Sequence, residues 1–146
     1  MIKVFVSSTG KDLQRYRDAV CRAIARLDGF VSVRMEDFGA RDEMPLAVCL
    51  SEVAAADLFV GITGQCYGSH PPDSLTSFTE HEYDAAVAAG KPRLMFVAPH
   101  DFAVPANLRE GEEEHRRQQD FRRRVTTERV VAPFDAPEQL AVGVVA

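Results

Sequence analysis

The sequence has little of what marks several large classes of protein. Its 146 residues carry a net charge of −5, so it has no basic excess with which to attract the phosphates of a nucleic acid. No uninterrupted apolar run approaches the roughly 20 residues that a membrane-spanning helix needs. Neither internal repeats nor low-complexity tracts occur. We therefore expect residues 1–146 to form a single domain, with neither nucleic acid nor a membrane as its partner.

Cysteine is also scarce, and its spacing does not suit a metal site. The chain has three cysteines and no Cys-x-x-Cys pair, and its four histidines show no ligand or triad spacing. We expect three reduced thiols, no bound metal and a cytoplasmic location. Cys21 and Cys49 fall in apolar helical patterns and are predicted to lie in the core, whereas Cys66 falls in a loop and could be accessible.

What is present is an alternation of strand and helix patterns. Short apolar runs predict strands over residues 2–6, 30–35, 57–63, 93–98 and 127–134. Between them we expect helices, including a highly charged one that ends near residue 124, and a last helix should begin near residue 136. This alternation predicts an α/β fold with a parallel sheet and helices on both faces. At this length the expected fold is flavodoxin-like, with five strands in the order 2-1-3-4-5.

Small polar residues end the first predicted strand, at a place where α/β sheets bind ligands. Such ligands lie beyond the carboxyl ends of the strands, where the strand order reverses, here between the first and third strands. Ser7, Ser8 and Thr9 could cradle an anion there with their hydroxyls and the amides of the following turn. A simple Ser/Thr helix cap is the commoner arrangement. The sequence contains neither a Walker loop nor the dinucleotide-binding glycine fingerprint.

Other stretches are predicted to meet at the same crevice. A long loop begins at Gly64, after the third strand, and long loops in compact domains are often functional. Glu36 follows the second strand, where an acid can hold ribose hydroxyls, although such acids more often face solvent. The start of the central helix completes the crevice. We expect the nucleotide-binding residues to be Ser7, Ser8, Thr9, Glu36, Gly64, Tyr67 and Glu80.

The central helix, predicted to end at Gly90, carries a glutamate on its sheet-facing side. At about 100° per residue, Glu82 falls inside the apolar arc and Glu80 at its edge. Thr79 and Glu82 are spaced as a capping box, and so are Ser77 and Glu80, so either glutamate could be structural. Alternatively, Glu82 belongs to a site, in a first helical turn whose dipole favours an ionised carboxylate. The spacing leaves cap and site open.

A set of motifs covers nearly the whole chain. It comprises Lys3-Val4-Phe5-Val6-Ser7-Ser8-Thr9, Met35-Glu36-x-Phe38-Gly39-Ala40, Asp57-x-x-Val60-Gly61-Ile62-x-Gly64, Tyr67-Gly68, Ser77-x-Thr79-Glu80-x-Glu82-Tyr83 and Gly90-Lys91-Pro92. Together these motifs resemble a family of TIR-like domains of unknown function. The resemblance implies a TIR-like, flavodoxin-type fold. It also implies an N-terminal position in a longer protein, before NACHT, TPR or WD40 modules, with self-association as a further expectation.

A more distant similarity concerns the central helix. Phe78-x-x-x-Glu82 resembles the aromatic-to-glutamate spacing of TIR domains that cleave NAD, although Phe78-Thr79 stands where those helices have Trp-Cys. Glu82 is also similar in placement to the nucleophile of nucleoside deoxyribosyltransferases. The resemblance implies an effector domain in which Glu82 is catalytic and NAD or a related nucleotide is the substrate, with no cofactor required. The alternative is a non-catalytic signalling module of the same fold.

Overall fold

Strands and helices alternate along the chain. The computed structural model describes residues 1–35 and 45–128, and the backbone of 132–133. The strands are β1 (Ile2–Ser8), β2 (Phe30–Val33), β3 (Leu58–Thr63), β4 (Arg93–Val97) and β5 (Ala132–Pro133). The helices are α1 (Gln14–Ala25), α2 (Leu46–Ala55), α3 (Phe78–Ala88) and α4 (Glu112–Glu128), and a short 3-10 helix spans Ala106–Leu108.

The strands pair in parallel, with β2, β1, β3 and β4 side by side in that order. The prediction of an α/β fold with a parallel sheet and helices is therefore confirmed. Beyond β4, two residues of β5 pair with Phe96 and Val97. The rest of the strand predicted over 127–134 lies outside the described residues, except for its first two positions. The helix predicted from residue 136 also lies outside them.

The charged helix α4 is longer than predicted. Thr127 and Glu128, predicted to open a strand, form its last turn. Threonine favours strands, but here the Thr127 hydroxyl donates to the Arg123 carbonyl at 2.8 Å, a bond that a helix allows. Glu128 accepts the Tyr83 hydroxyl of α3 at 2.7 Å. Tertiary contact thus prolongs the helix against local propensity.

Alternation along β1 divides the core into two layers. Phe5 packs on one side of the sheet, in a cluster with residues of α2, α3 and α4. Val4 and Val6 pack on the other side, in a cluster with residues of α1. Since successive strand side chains point to opposite faces, Ser7 continues towards α3 and Ser8 towards α1. The register of β1 therefore sends the two serines to different partners.

Helix α3 ends where the sequence predicted. Gly90 has φ +66°, a conformation that glycine adopts without strain. The Gly90 amide donates to the Val87 carbonyl at 3.1 Å and the Lys91 amide to the Ala86 carbonyl at 3.0 Å, which is a Schellman motif. This turn sends the chain directly into β4. Within the described residues, no helix is both long and apolar enough to cross a membrane.

Candidate functional site

A crevice of about 590 Å³ lies at the carboxyl ends of β1 and β3. Three segments line it: the turn after β1, the loop after β3, and the segment that leads into α4. The first two were expected from the switch-point rule. The third was not predicted, because it lies more than forty residues after Tyr67 in the sequence and carries no local motif. It contributes Leu108, Glu110 and Gly111, and the first turn of α4 adds Glu114.

Glu82 is fully buried, at 0% exposure, so it does not form part of the crevice wall. The Ser7 hydroxyl donates to its Oε1 atom at 2.8 Å, because the register of β1 directs Ser7 towards α3. Burying a carboxyl group is costly unless it is hydrogen-bonded, and a bond to an ionised acceptor is among the stronger ones. The pair joins β1 to α3 two residues before Thr9, which does line the crevice.

Of the two alternatives left open for Glu82, the helix cap is excluded. Helix α3 begins at Phe78, and its cap is Ser77, whose hydroxyl accepts the Glu80 amide at 3.1 Å. Glu82 is the fifth residue of the helix rather than part of its first turn, where Glu80 is the acidic residue. Thr79 lies inside the helix and is not its cap. Of the two boxes open to the sequence, the Ser77 one supplies the cap.

Glu80 lies in a polar network on the side of α3 that faces α4. Its Oε1 atom accepts the Tyr67 hydroxyl at 2.7 Å, and its Oε2 atom accepts the Arg124 guanidinium at 2.8 Å. Arg124 also pairs with Asp84. Burial, and then the bond to Glu80, raise the pKa of Tyr67. The network fastens the loop after β3 to both helices.

The turn after β1 is held from within the protein. Arg17 is buried, and its Nη1 atom donates to the Ser8 hydroxyl and the Thr9 carbonyl, each at 3.1 Å. The Thr9 hydroxyl donates to Asp12 at 2.5 Å. The Ser/Thr cap considered for this turn does not form: α1 begins after Leu13 with no side-chain cap. The signal that could have identified Arg17 is its place among the apolar positions of α1.

Helix α4 is anchored beneath the crevice rather than fully solvated. The Gly64 carbonyl accepts Gln118 Nε2 at 2.7 Å and Arg122 Nη1 at 3.0 Å. Arg122 also donates to the Ala98 carbonyl, and burial lowers its pKa. Gln118 and Arg122 share a buried stripe with Phe121. The sequence does not indicate this stripe, because long polar side chains fill it and hide its period.

The loop after β3 also binds a carboxylate through its backbone. The Tyr67 amide donates to Glu110 Oε1 at 2.5 Å, and the Gly68 amide donates to Oε2 at 2.9 Å.

Cys66, immediately before Tyr67, is only 7% exposed, so the expectation that it could be accessible is wrong. Burial, and then the charges of Asp12 and Glu110, raise its pKa to about 12. The thiol stays protonated at neutral pH and is a poor nucleophile.

Comparison with known proteins identifies the family. Residues 3–146 match the family described as Domain of unknown function (DUF4062). The chain belongs to the DUF4062 family. No curated protein matches it. Among solved structures, a thermophilic tryptophan halogenase from Streptomycin violaceusniger is similar at 12% identity and a TM-score of 0.42, covering 99% of this chain and 94% of that one. A likeness at that level supports no functional argument.

The DUF4062 domain brings several predicted site residues together in pairs. Ser7 meets Glu82, and Tyr67 meets Glu80. The remaining described residues of the set bond neighbouring elements. Arg17 donates to the Ser8 hydroxyl and the Thr9 carbonyl, and two side chains of α4 donate to the Gly64 carbonyl. Glu36 lies outside the described residues. Whether these residues bind a nucleotide stays a prediction.

Proposed function

We propose that this DUF4062 domain is a TIR-like effector domain that binds NAD or a related nucleotide at the carboxyl ends of β1 and β3. Glu82 is the residue that would act on the ribose. The observation that carries the proposal is the buried contact between Ser7 and Glu82. An apolar pair of similar volume would often cost less to bury there, and a catalytic role would account for keeping the carboxyl group.

The proposed chemistry is cleavage of the bond between the ribose C1′ atom and the base nitrogen. The bonding electrons leave with the base, which departs from NAD as neutral nicotinamide because the ring nitrogen is already cationic. The ribose develops oxocarbenium character, which the Glu82 carboxylate stabilises or traps as an ester. Water then supplies the hydroxyl group to C1′ and gives up a proton. No separate general acid is required for this leaving group.

Full burial of Glu82 adds a condition to the proposal. The substrate can reach the carboxylate only if the residues that enclose it move. We infer that the loop of residues 64–77, which Tyr67 ties to Glu80 of α3, moves away from the turn after β1. We infer that assembly of the domain, together with the NACHT, TPR or WD40 modules that the resemblance implies, drives this movement in the cytoplasm. We also infer that the sheet is completed in the flavodoxin-like order 2-1-3-4-5, which the two pairs between β4 and β5 support.

A non-catalytic signalling module of the same fold is the second candidate function. It is favoured by the inaccessibility of Glu82, which is 0% exposed. In this case the pair of Ser7 and Glu82 would fix the position of α3 on the sheet. Signalling would then depend on the outer surfaces of the helices.

Release of nicotinamide distinguishes the two candidates. The domain would be fused to a scaffold that forces its assembly, incubated with NAD, and sampled by chromatography beside the unassembled domain. Cleavage by the assembled form alone would support the proposal and the condition on access. An assembled domain that leaves NAD and other nucleosides intact would overturn the catalytic proposal in favour of the signalling module.

A further inference from the structure

One acidic side chain occupies a position that suits an external anion. The Glu110 carboxylate bridges the amides of Tyr67 and Gly68, with one oxygen on each nitrogen, at 2.5 and 2.9 Å. It comes from the segment before α4 and reaches the loop after β3 across the crevice. The loop therefore presents two successive N–H groups to one anionic group, which the chain itself supplies.

The backbone conformation explains why these two amides converge. Gly68 has φ +84°, and a Cβ atom on it would come within 2.8 Å of the Thr9 side chain. Only glycine fits both the conformation and the space. Successive amides in such a turn form a concavity that binds anions, as in phosphate-binding loops. A carboxylate and a phosphate both offer two oxygens with suitable spacing for the two donors.

The surroundings join this position to the predicted ligand site. Glu110 lines the same crevice as Thr9, Gly10 and Lys11, from the turn after β1. Glu110 is half-buried rather than enclosed. Its place on the amides can therefore be taken over without unfolding the core.

We propose that Glu110 is an intramolecular substitute for the phosphate of a ligand and blocks an anion site formed by the Tyr67 and Gly68 amides. A phosphate that displaces Glu110 would take over both hydrogen bonds and release the segment before α4 from the loop after β3. This site would hold the phosphate of the nucleotide, and to that extent the inference rests on the proposed function. Phosphate binding needs no cleavage, so the two can fail separately.

Charge explains why the site would be closed at rest. Asp12, Glu110 and Glu114 line the crevice beside Lys11, so an incoming anion meets an excess of negative charge. Removing Glu110 would lower that charge and also uncover two donors. Removing Glu114 would lower the charge equally but leave both donors occupied. Glu114→Ala is therefore a matched control for Glu110→Ala.

The test is phosphate binding measured by amide chemical shifts. Wild type, Glu110→Ala, Glu110→Gln and Glu114→Ala would be titrated with inorganic phosphate and with AMP, after thermal melts have shown that each is folded. We expect Glu110→Ala to bind phosphate about 10- to 100-fold more tightly than wild type, with the shifts centred on Tyr67 and Gly68. Glu110→Gln keeps one acceptor and should fall between the two.

The control decides between a specific site and general electrostatics. An equal gain in Glu110→Ala and Glu114→Ala, or no gain in either, would overturn the proposal. If Glu110→Ala does not fold, Glu110→Gln is compared with Glu114→Ala in the same way. Tighter binding of AMP than of inorganic phosphate to Glu110→Ala would support a nucleotide as the source, and equal binding would support free phosphate. In both cases the anion site stands.

Discussion

Two glutamates at the same end of the sheet make contacts of opposite character. Glu82 is fully buried and accepts a hydrogen bond from the Ser7 hydroxyl. Glu110 is half-buried, borders an open crevice and accepts two backbone amides. Away from water an electrostatic contact is stronger and its loss more costly. The first glutamate is therefore a fixed part of the core, whereas the second can exchange its partners.

The comparison separates chemical suitability from access. The carboxylate that we propose to act on a ribose is fully buried, and the two amides beside the crevice are covered by a carboxylate that repels anions. Tyr67 links the crevice to α3, because its amide binds Glu110 and its hydroxyl binds Glu80. The movement of the loop of residues 64–77 that we infer for access to Glu82 would therefore also disturb the contact between Tyr67 and Glu110.

The largest effect is expected from Glu82→Gln. The amide keeps an acceptor for Ser7 but loses the charge that stabilises an oxocarbenium ion. Cleavage of NAD by the assembled domain should slow by about 100- to 1000-fold, or roughly 3–4 kcal/mol. Because a neutral amide is less costly to bury than a carboxylate, the melting temperature should change little or rise. Chromatographic rates and thermal melts would be measured together.

Glu80→Gln is the control for that prediction. Glu80 is less buried than Glu82 and bonds Tyr67 and Arg124. Compared with Glu82→Gln, Glu80→Gln should therefore slow cleavage less and lower the melting temperature more. Equal rates for wild type and Glu82→Gln would remove Glu82 from the mechanism and leave the Ser7 contact as a purely structural one.

The second effect concerns Cys66 and its acidic neighbours. Burial raises the pKa of its thiol from 9.0 to about 12, so at pH 8.5 alkylation by iodoacetamide should be at least about 100-fold slower in the folded than in the unfolded protein. A raised pKa favours the protonated thiol in the fold. This preference contributes fully to the free energy of unfolding below pH 9, and the contribution is lost as the pH rises towards 12. Peptide mass spectrometry would follow Cys66 beside the less buried Cys21, and faster labelling of Cys66 would contradict the prediction.

The local parts of the fold could be predicted from sequence, and the long-range contacts could not. The end of α3 follows from Gly90 and Pro92, which act on their own neighbours. Convergence of the turn after β1 with the loop after β3 follows from the general topology of α/β sheets. The helical period placed Glu82 on the sheet-facing side of α3, but its partner Ser7 lies 75 positions away, and no local pattern encodes that contact.

The same limit explains why the buried side of α4 was not predicted. Arg122 lies in a run of three arginines that resembles a solvated surface, yet it bonds the Gly64 and Ala98 carbonyls. A guanidinium can be buried when backbone carbonyls at strand ends accept its hydrogen bonds, and sequence does not show where those carbonyls point. Glu110 was overlooked for a related reason: its partners are backbone amides, which leave no trace in residue types.

The third prediction compares two neighbouring arginines of α4. Arg122 is 5% exposed, whereas the side chain of Arg123 is 74% exposed. Arg122→Ala would leave two buried carbonyls with fewer donors and should lower the free energy of unfolding by about 2–3 kcal/mol. Arg123→Ala should lower it by about 0.5 kcal/mol or less. Urea denaturation measures both, and similar losses would show that α4 is held by apolar packing alone.

The smallest effect is expected from Tyr83→Phe, which removes a contact between α3 and the last turn of α4. Phenylalanine keeps the ring against Phe121, whose centroid lies 5.5 Å away, but loses the hydroxyl that donates to Glu128 at 2.7 Å. Since Glu128 is exposed and water can replace the lost donor, the free energy of unfolding should fall by only about 1 kcal/mol.

The last turn of α4 should fray in Tyr83→Phe, and faster amide exchange there would reveal it. Glu128→Gln keeps an acceptor oxygen and should fray the turn less. Burial and the bond to Glu128 raise the pKa of Tyr83 to about 12. Because the pKa of Tyr67 is raised as well, an alkaline spectroscopic titration is compared between wild type and Tyr83→Phe, and the variant should lack the tyrosinate that forms near pH 12. A wild-type Tyr83 that ionises near pH 10 with unchanged exchange in the variant would mean that the hydroxyl contact does not hold the end of the helix, and that α4 outlasts its predicted length for another reason.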